Sequence, residues 1–200
     1  MKKLLLATNN KGKQMELRAL LGGLGLSLVD PESLHLQLEV DESGETYAIN
    51  AGLKAAAFSA ASGMWCLADD SGLEVDALGG APGLHSARLT GAKGNDRQRR
   101  TRLLALLAPH PRPWTACFRC VVALTGPEGK IDLAEGECRG EVILEERGKM
   151  GFGYDPIFLV QNTGRTMAEL DMDEKNRLSH RANAIQAILP ILRRRLSLEP

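Results

Sequence analysis

The apolar run Leu4-Leu5-Leu6-Ala7 lies between two lysines and the polar stretch Thr8-Asn9-Asn10. It has the length of a buried strand and predicts one over residues 2–8. A helical pattern over 11–21 follows, closed by Gly22-Gly23, and an Ala-rich helix is expected over 46–61, ending at Gly63. The apolar run Met64 to Ala68 predicts a strand over 64–68, followed by a loop-rich stretch over 79–95. A helix over 95–107 carries Leu103, Leu104, Leu106 and Leu107 in its second half. Strands over 115–124 and 130–138 flank Thr125-Gly126-Pro127-Glu128-Gly129, a hairpin turn by composition. A strand over 155–160 comes next. Ser179 then reads as the N-cap of a last helix, with Ala182, Ile185 and Ile188-Leu189 at helical spacing after it. Strands alternate with helices early and a hairpin sits in the middle, so an α/β chain with a mixed sheet and helices on both faces is expected. No repeat, linker or low-complexity segment interrupts the chain, and 1–200 reads as one domain.

Composition narrows the function classes. Basic and acidic residues number 25 each and balance, so a broad electrostatic grip on nucleic acid is not indicated. Two Trp, two Tyr and four Phe are too few for a stacking platform along single strands. The first apolar run is too short for a signal h-region or a membrane span, and a cytoplasmic protein with no membrane partner is expected. Cys117 and Cys120 form a C-x-x-C in a segment that alternates like a strand. Odd spacing sends the two thiols to opposite faces, and no second pair completes a zinc site, so they read as small buried hydrophobes.

The chemistry begins at Asp69-Asp70, two like charges side by side where the strand 64–68 is expected to stop. That placement is unfavourable unless something neutralises them; the plain alternative is a solvated turn with an Asx hydrogen bond. Lys11 and Lys13 stand in the first turn of the helix over 11–21, where the dipole favours negative charge. The conflict disappears if an anion sits on the helix N-terminus, although a solvated lysine pair accounts for it equally well. No Walker A loop is present. His180 and Arg181 repeat the same conflict after Ser179, with an ion pair from Arg181 to a nearby Asp or Glu as the structural alternative. Two such placements in one short chain suggest a shared anion. In Met150–Phe158, glycines around Phe152 permit close backbone approach, Phe152 and Tyr154 offer flat apolar faces, and Pro156 pins the entry to the next strand; an ordinary turn is the alternative. A hard cation such as Mg²⁺ takes carboxylate oxygens and bridges to phosphates, so one acid of the pair can hold the metal or deprotonate a water while the other orients it. Glu42 could add a further carboxylate. The D-x-D pattern of an Asp-type phosphatase is missing. Together these clusters read as a nucleotide phosphate site.

The ordered set Thr8-Asn9-Asn10-Lys11-Gly12-Lys13, Glu42 to Ala55, Leu67 to Gly91, Gly151 to Phe158 and Glu174 to Arg181 resembles the inosine-triphosphate pyrophosphatase family from residue 4 to about 190. The resemblance implies an elongated mixed β-sheet flanked by helices, two lobes around a central cleft, and a homodimer. It implies Mg²⁺-dependent hydrolysis of ITP, dITP and XTP to the monophosphate and pyrophosphate, which keeps deaminated purines out of DNA and RNA. By position, Asp70 matches the family's proton acceptor and metal ligand, and Glu42 a metal-binding acid. Thr8, Asn9, Asn10, Lys11, Gly12 and Lys13 match its triphosphate loop, and Lys54 and Ser71 match substrate-contacting positions. Phe152, Gly153, Tyr154 and Asp155 match the nucleoside pocket, with Lys175, His180 and Arg181 closing over it. As donors, His180 and Arg181 suit the 6-oxo group of hypoxanthine or xanthine. Ile49 stands where the family often has Glu, and Leu89 where an aromatic is common. Two other readings are a nucleotide-binding sensor without turnover and a pyrophosphatase for other altered nucleotides.

Overall fold

The leucine run forms β1 (Lys3–Leu6), followed by α1 (Lys11–Leu21), β2 (Ser27–Val29) and α2 (Tyr47–Ser62). Next come β3 (Trp65–Val75), α3 (Asp96–Leu107), β4 (Trp114–Thr125), β5 (Ile131–Val142) and β6 (Phe158–Val160), and the chain closes with α4 (Met172–Leu178) and α5 (His180–Arg195). This computed structural model describes residues 1–91 and 93–198. Ala92, in the expected loop-rich stretch, and residues 199–200, at the end of the expected domain, lie outside the described residues. Local chemistry sets the helix ends. Asn10 caps α1 by accepting from the Lys13 N–H, and Thr46 caps α2 by accepting from the Ile49 N–H at 3.2 Å. Gly63 closes α2 in the left-handed region at φ +66°. Asn95 and Gln98 form a reciprocal capping box on α3.

Six strands hydrogen-bond in the order β2-β1-β3-β4-β5-β6. The packing divides the chain into two units. The first holds Met1–Asp70, Cys120–Gly136 and the chain from Arg181; the second holds Ser71–Arg119 and Glu137–His180. In the first unit β1 runs parallel to β2 and to β3, with Leu4 opposite Trp65, Leu5 opposite Cys66 and Leu6 opposite Leu67. Alternation then sorts the side chains to two faces. Leu4, Leu6, Leu67, Cys120, Val122 and Leu124 pack with Leu17 and Leu21 of α1 and Ile185 and Ile188 of α5. Leu5, Ala7, Cys66, Ala68, Val121 and Ala123 pack with Ala51, Ala55 and Phe58 of α2. The expected mixed sheet with helices on both faces is what forms; each fully buried leucine contributes about 1.5–3 kcal/mol relative to exposure. In the second unit β5 and β6 are antiparallel. Leu73, Val75, Phe118, Val142 and Phe158 surround Leu103 and Leu107 of α3, and Leu89 packs against that core.

The strands expected over 64–68 and 155–160 are corrected, and α4 was not expected. β3 does not stop at Ala68 but runs through both aspartates to Val75, because Leu73 and Val75 continue the buried alternation. The strand expected over 155–160 is extended only at Phe158–Val160, since Asp155–Ile157 winds into a 3-10 turn with Pro156 preset near the helical φ. The helix α4 has no apolar period to betray it; a capping box between Asp171 and Glu174 starts it. Ser179, expected as the N-cap of the last helix, stands at that position: its backbone is extended and α5 begins at the next residue, His180, so it both ends α4 and precedes α5. Among the described residues no helix is long and apolar enough to cross a membrane. The four cysteines are unbridged. Burial pushes the Cys66 thiol up to about 11 and those of Cys120 and Cys138 up to about 12, so these three are inert packing groups. Cys117 is only half-buried.

Candidate active site

Asp69 and Asp70 are neighbours on a strand, so their side chains leave opposite faces of the sheet. Asp69 shares the face of Leu67, under α1 and α5. Its Oδ2 lies 3.0 Å from the Lys13 Nζ and accepts from Arg181 Nε at 3.2 Å and Nη2 at 3.0 Å. Arg181 Nη1 donates to Glu16. Arg181 is 1% exposed, and Asp69 and Glu16 are also buried. Burial opposes the charge on Asp69, but Lys13, Arg181 and Lys54 outweigh it and hold the carboxyl well below the usual carboxylate range. The two helix starts with unfavourably placed cations therefore share one anion, and it is a side chain of the protein. For Arg181 this is the ion-pair alternative.

Asp70 shares the face of Ala68, under α2. Lys54 Nζ lies 3.6 Å from Asp70 Oδ1 and 3.3 Å from Glu42 Oε2, so two carboxylates converge on one ammonium. Asn50 Nδ2 donates to Asp70 Oδ2 at 3.1 Å. Burial raises the Asp70 carboxyl above its ordinary value of 3.8, and the Glu42 charge adds to this, against the pull of Lys54, Lys13 and the Asn50 hydrogen bond. Two carboxylates that converge on one ammonium, presenting oxygen donors only, suit a hard divalent cation. Among the described residues no three His, Cys, Asp or Glu side chains gather as a metal cage. Such an ion would rest on Glu42 and Asp70, leaving other positions to water or phosphate oxygens.

The loop from Thr8 to Lys13 carries β1 into α1. Thr8 Oγ1 accepts from the Asn10 N–H at 3.2 Å, and Gln14 Nε2 donates to the Thr8 carbonyl at 2.8 Å, which fixes the turn. The helix geometry leaves the N–H groups of Lys11 and Gly12 without an intrahelical acceptor, the usual anion-binding end. The two lysines diverge. Lys13 turns inward to Asp69, while Lys11 is exposed and paired with Glu32 at 2.6 Å.

The second unit holds the glycine loop. Lys175 Nζ meets Asp155 Oδ2 at 2.6 Å with both side chains buried, and that oxygen also accepts from the Phe152 N–H at 2.9 Å. The Lys175 ammonium lies 5.4 Å from the Phe152 ring centroid. Gly153 is held from both sides by α3: its N–H donates to Asp96 Oδ2 at 2.8 Å and its carbonyl accepts from Arg100 Nη1 at 2.9 Å. Arg100 also makes a two-pronged pair with Glu146. The ring of Tyr154 does not offer a flat face as expected. It is 4% exposed in the core, with its hydroxyl donating to the Ser86 carbonyl at 2.8 Å. His180 stacks on Phe118, centroids 4.7 Å apart. Gly151 has φ +73°, and a Cβ there would fall 2.0 Å from Asp155 Oδ2. Gly151→Ala is therefore expected to break the Lys175–Asp155 pair and to lower the melting temperature; a melt unchanged from wild type would refute this.

Of the residues singled out from the sequence, Thr8, Asn9, Asn10, Lys11, Gly12, Lys13, Glu42, Lys54, Asp70 and Arg181 fall in the first unit. Ser71, Phe152, Gly153, Tyr154, Asp155, Lys175 and His180 fall in the second. Glu16, Asn50, Asp96 and Arg100 were not anticipated. Asn50 had a signal, since it stands four residues before Lys54 and so shares its helix face, a polar pair on the buried side of an Ala-rich helix. Ile49 is 49% exposed and points away from that side.

Fold and site together define an α/β protein with a carboxylate pair, inward lysines and a capped helix start that suits phosphate. The sequence matches the Ham1 family over residues 4–191. It is 49% identical over 193 residues to the dITP/XTP pyrophosphatase of Desulforamulus reducens, covering 96% of each chain. It is 39% identical to that of Bacillus subtilis, covering 96% of this chain and 98% of the other. A HAM1 protein from Coxiella burnetii superposes with a TM-score of 0.86 at 37% identity, covering 97% of this chain and all of that one. The chain belongs to the Ham1 family, in agreement with the resemblance carried by its five motifs.

Proposed function

We propose that this chain hydrolyses non-standard purine nucleoside triphosphates, namely ITP, dITP and XTP, to the monophosphate and pyrophosphate with Mg²⁺ bound. The observation that carries the reading is Asp70, a carboxylate held by Asn50 and Lys54, facing Glu42, and raised toward the range of a working base. The name of the D. reducens relative, dITP/XTP pyrophosphatase, supports two of these substrates, dITP and XTP. The metal, when bound by Glu42 and Asp70, would supply charge neutralisation on the phosphates. Asp70 takes the proton of the attacking water as that water's oxygen bonds to the α-phosphorus and the α–β phosphoanhydride bond breaks, with pyrophosphate as the leaving group. Lys54 balances the Glu42 and Asp70 charges before substrate arrives and turns to phosphate oxygens when it does. The α1 N-terminus and its loop orient the triphosphate. No side chain of the chain has to form a covalent bond to phosphorus. A homodimer in the cytoplasm belongs to the same proposal on family grounds; light scattering checks the dimer.

Product analysis tests the bond cleaved. ITP is expected to give IMP and pyrophosphate in equal amounts, whereas IDP with orthophosphate as first products would place the attack at the γ-phosphorus and overturn the reading. Selectivity for a 6-oxo purine is read from the ratio of ITP to ATP turnover, and comparable rates on both would refute it.

A further inference from the structure

We propose that Asn50 is a positioning residue that clamps Asp70 to the loop bearing Glu42 and so sets the geometry of the carboxylate pair; this rests on the reading of Asp70 as the base. Asn50 lies in the first turn of α2 and is 1% exposed. Its side-chain amide is used at both ends. Nδ2 donates to Asp70 Oδ2 at 3.1 Å, and Oδ1 accepts from the Gly44 N–H at 2.9 Å. These two bonds fix the orientation of the amide. Turned over, it would set its oxygen against the Asp70 carboxylate and its NH₂ against the Gly44 N–H, two repulsions in a buried place.

The clamp does three things for the pair. It engages one Asp70 oxygen, Oδ2, and so defines the rotation of the carboxylate, with Oδ1 toward Lys54. It ties Gly44 to α2, and Gly44 stands two residues from Glu42, whose Oε2 meets the same Lys54. It also couples the two, because one rigid amide spans both acid-bearing segments. Gly44 is matched to the arrangement: a Cβ there would lie 2.5 Å from Ile49 Cγ2 and 2.7 Å from Asn50 Oδ1. A side chain at position 44 would therefore push the amide off Asp70.

Steady-state kinetics on ITP with Mg²⁺, and calorimetry with the uncleavable α,β-methylene analogue of ITP plus Mg²⁺, test the clamp. Asn50→Ala removes both bonds. Asn50→Asp keeps the shape and the acceptor for Gly44 but loses the donor to Asp70. Both are expected to lower kcat about 10–100-fold, the usual loss when a group that orients a ligating side chain is removed, with KM and analogue affinity close to wild type. Gly44→Ala is expected to lower kcat in the same way, and combining it with Asn50→Ala should add nothing, since both break one link. Wild-type kcat in the Asn50 variants, losses confined to affinity, or additive losses in the double variant would overturn the clamp. Asp70→Asn run alongside separates the two claims. If it is inactive while the Asn50 variants turn over normally, only the clamp fails; if it retains its rate, the reading of the base fails first.

Discussion

Asp70→Asn is expected to lose about 10²–10⁴-fold in kcat, the usual cost of removing a general base, while binding of the α,β-methylene analogue is largely kept. The same variant, metal-free, is expected to melt at or above the wild-type temperature. Burial, with Glu42 adding, raises the Asp70 carboxyl in the folded protein. The fold thus binds that proton more tightly than the unfolded chain does, and ionised Asp70 costs stability as pH rises through its raised value. A neutral isostere removes that cost. An active variant would exclude Asp70 as the base, and a large fall in melting temperature would show that its charge stabilises the fold.

One residue earlier the expectation reverses. Asp69→Asn removes the carboxylate shared by Lys13 and Arg181 and leaves the buried Arg181 and the partly buried Lys13 short of a counter-charge. Breaking a buried pair by deleting one partner costs about 3–5 kcal/mol. For a chain of this size, that is a drop of about 6–20 °C in melting temperature. Circular dichroism melts check it, and a drop of only a degree or so would show that Glu16 alone satisfies Arg181. Isosteric changes at adjacent positions thus separate a carboxylate that holds the fold from one that does the chemistry.

Much of this was legible because the chain keeps its periods. Leu4 to Ala7, the Ala-rich stretch before Gly63 and the leucines of 103–107 each state an element in their spacing. The charge pattern was legible too: cations at two helix starts suggested a shared anion. Which anion was not, because Asp69 is 112 residues from Arg181, and only the strand brings them together. The aspartates themselves concealed the length of β3, since two carboxylates read as an exposed end when their cations are remote in sequence. Helix α4 stayed hidden because its residues are held by caps and ion pairs rather than by an apolar stripe. Tyr154 misled in the opposite way: an aromatic among glycines suggests an open face, but its hydroxyl has a carbonyl to reach inside the core.

The division of labour between Asp69 and Asp70 depends on nothing but odd and even. The pairing of β1 with β3 that sets Leu6 opposite Leu67 decides which carboxylate faces α1 and α5 and which faces α2. A slip of one residue would exchange them, putting the base among the buried cations and the counter-ion beside Glu42. Single-residue insertions or deletions between Trp65 and Asp70 should therefore abolish function even where the sheet still forms, while paired ones that restore parity should be far better tolerated. The leucines of the first strand act as a ruler for the acid site.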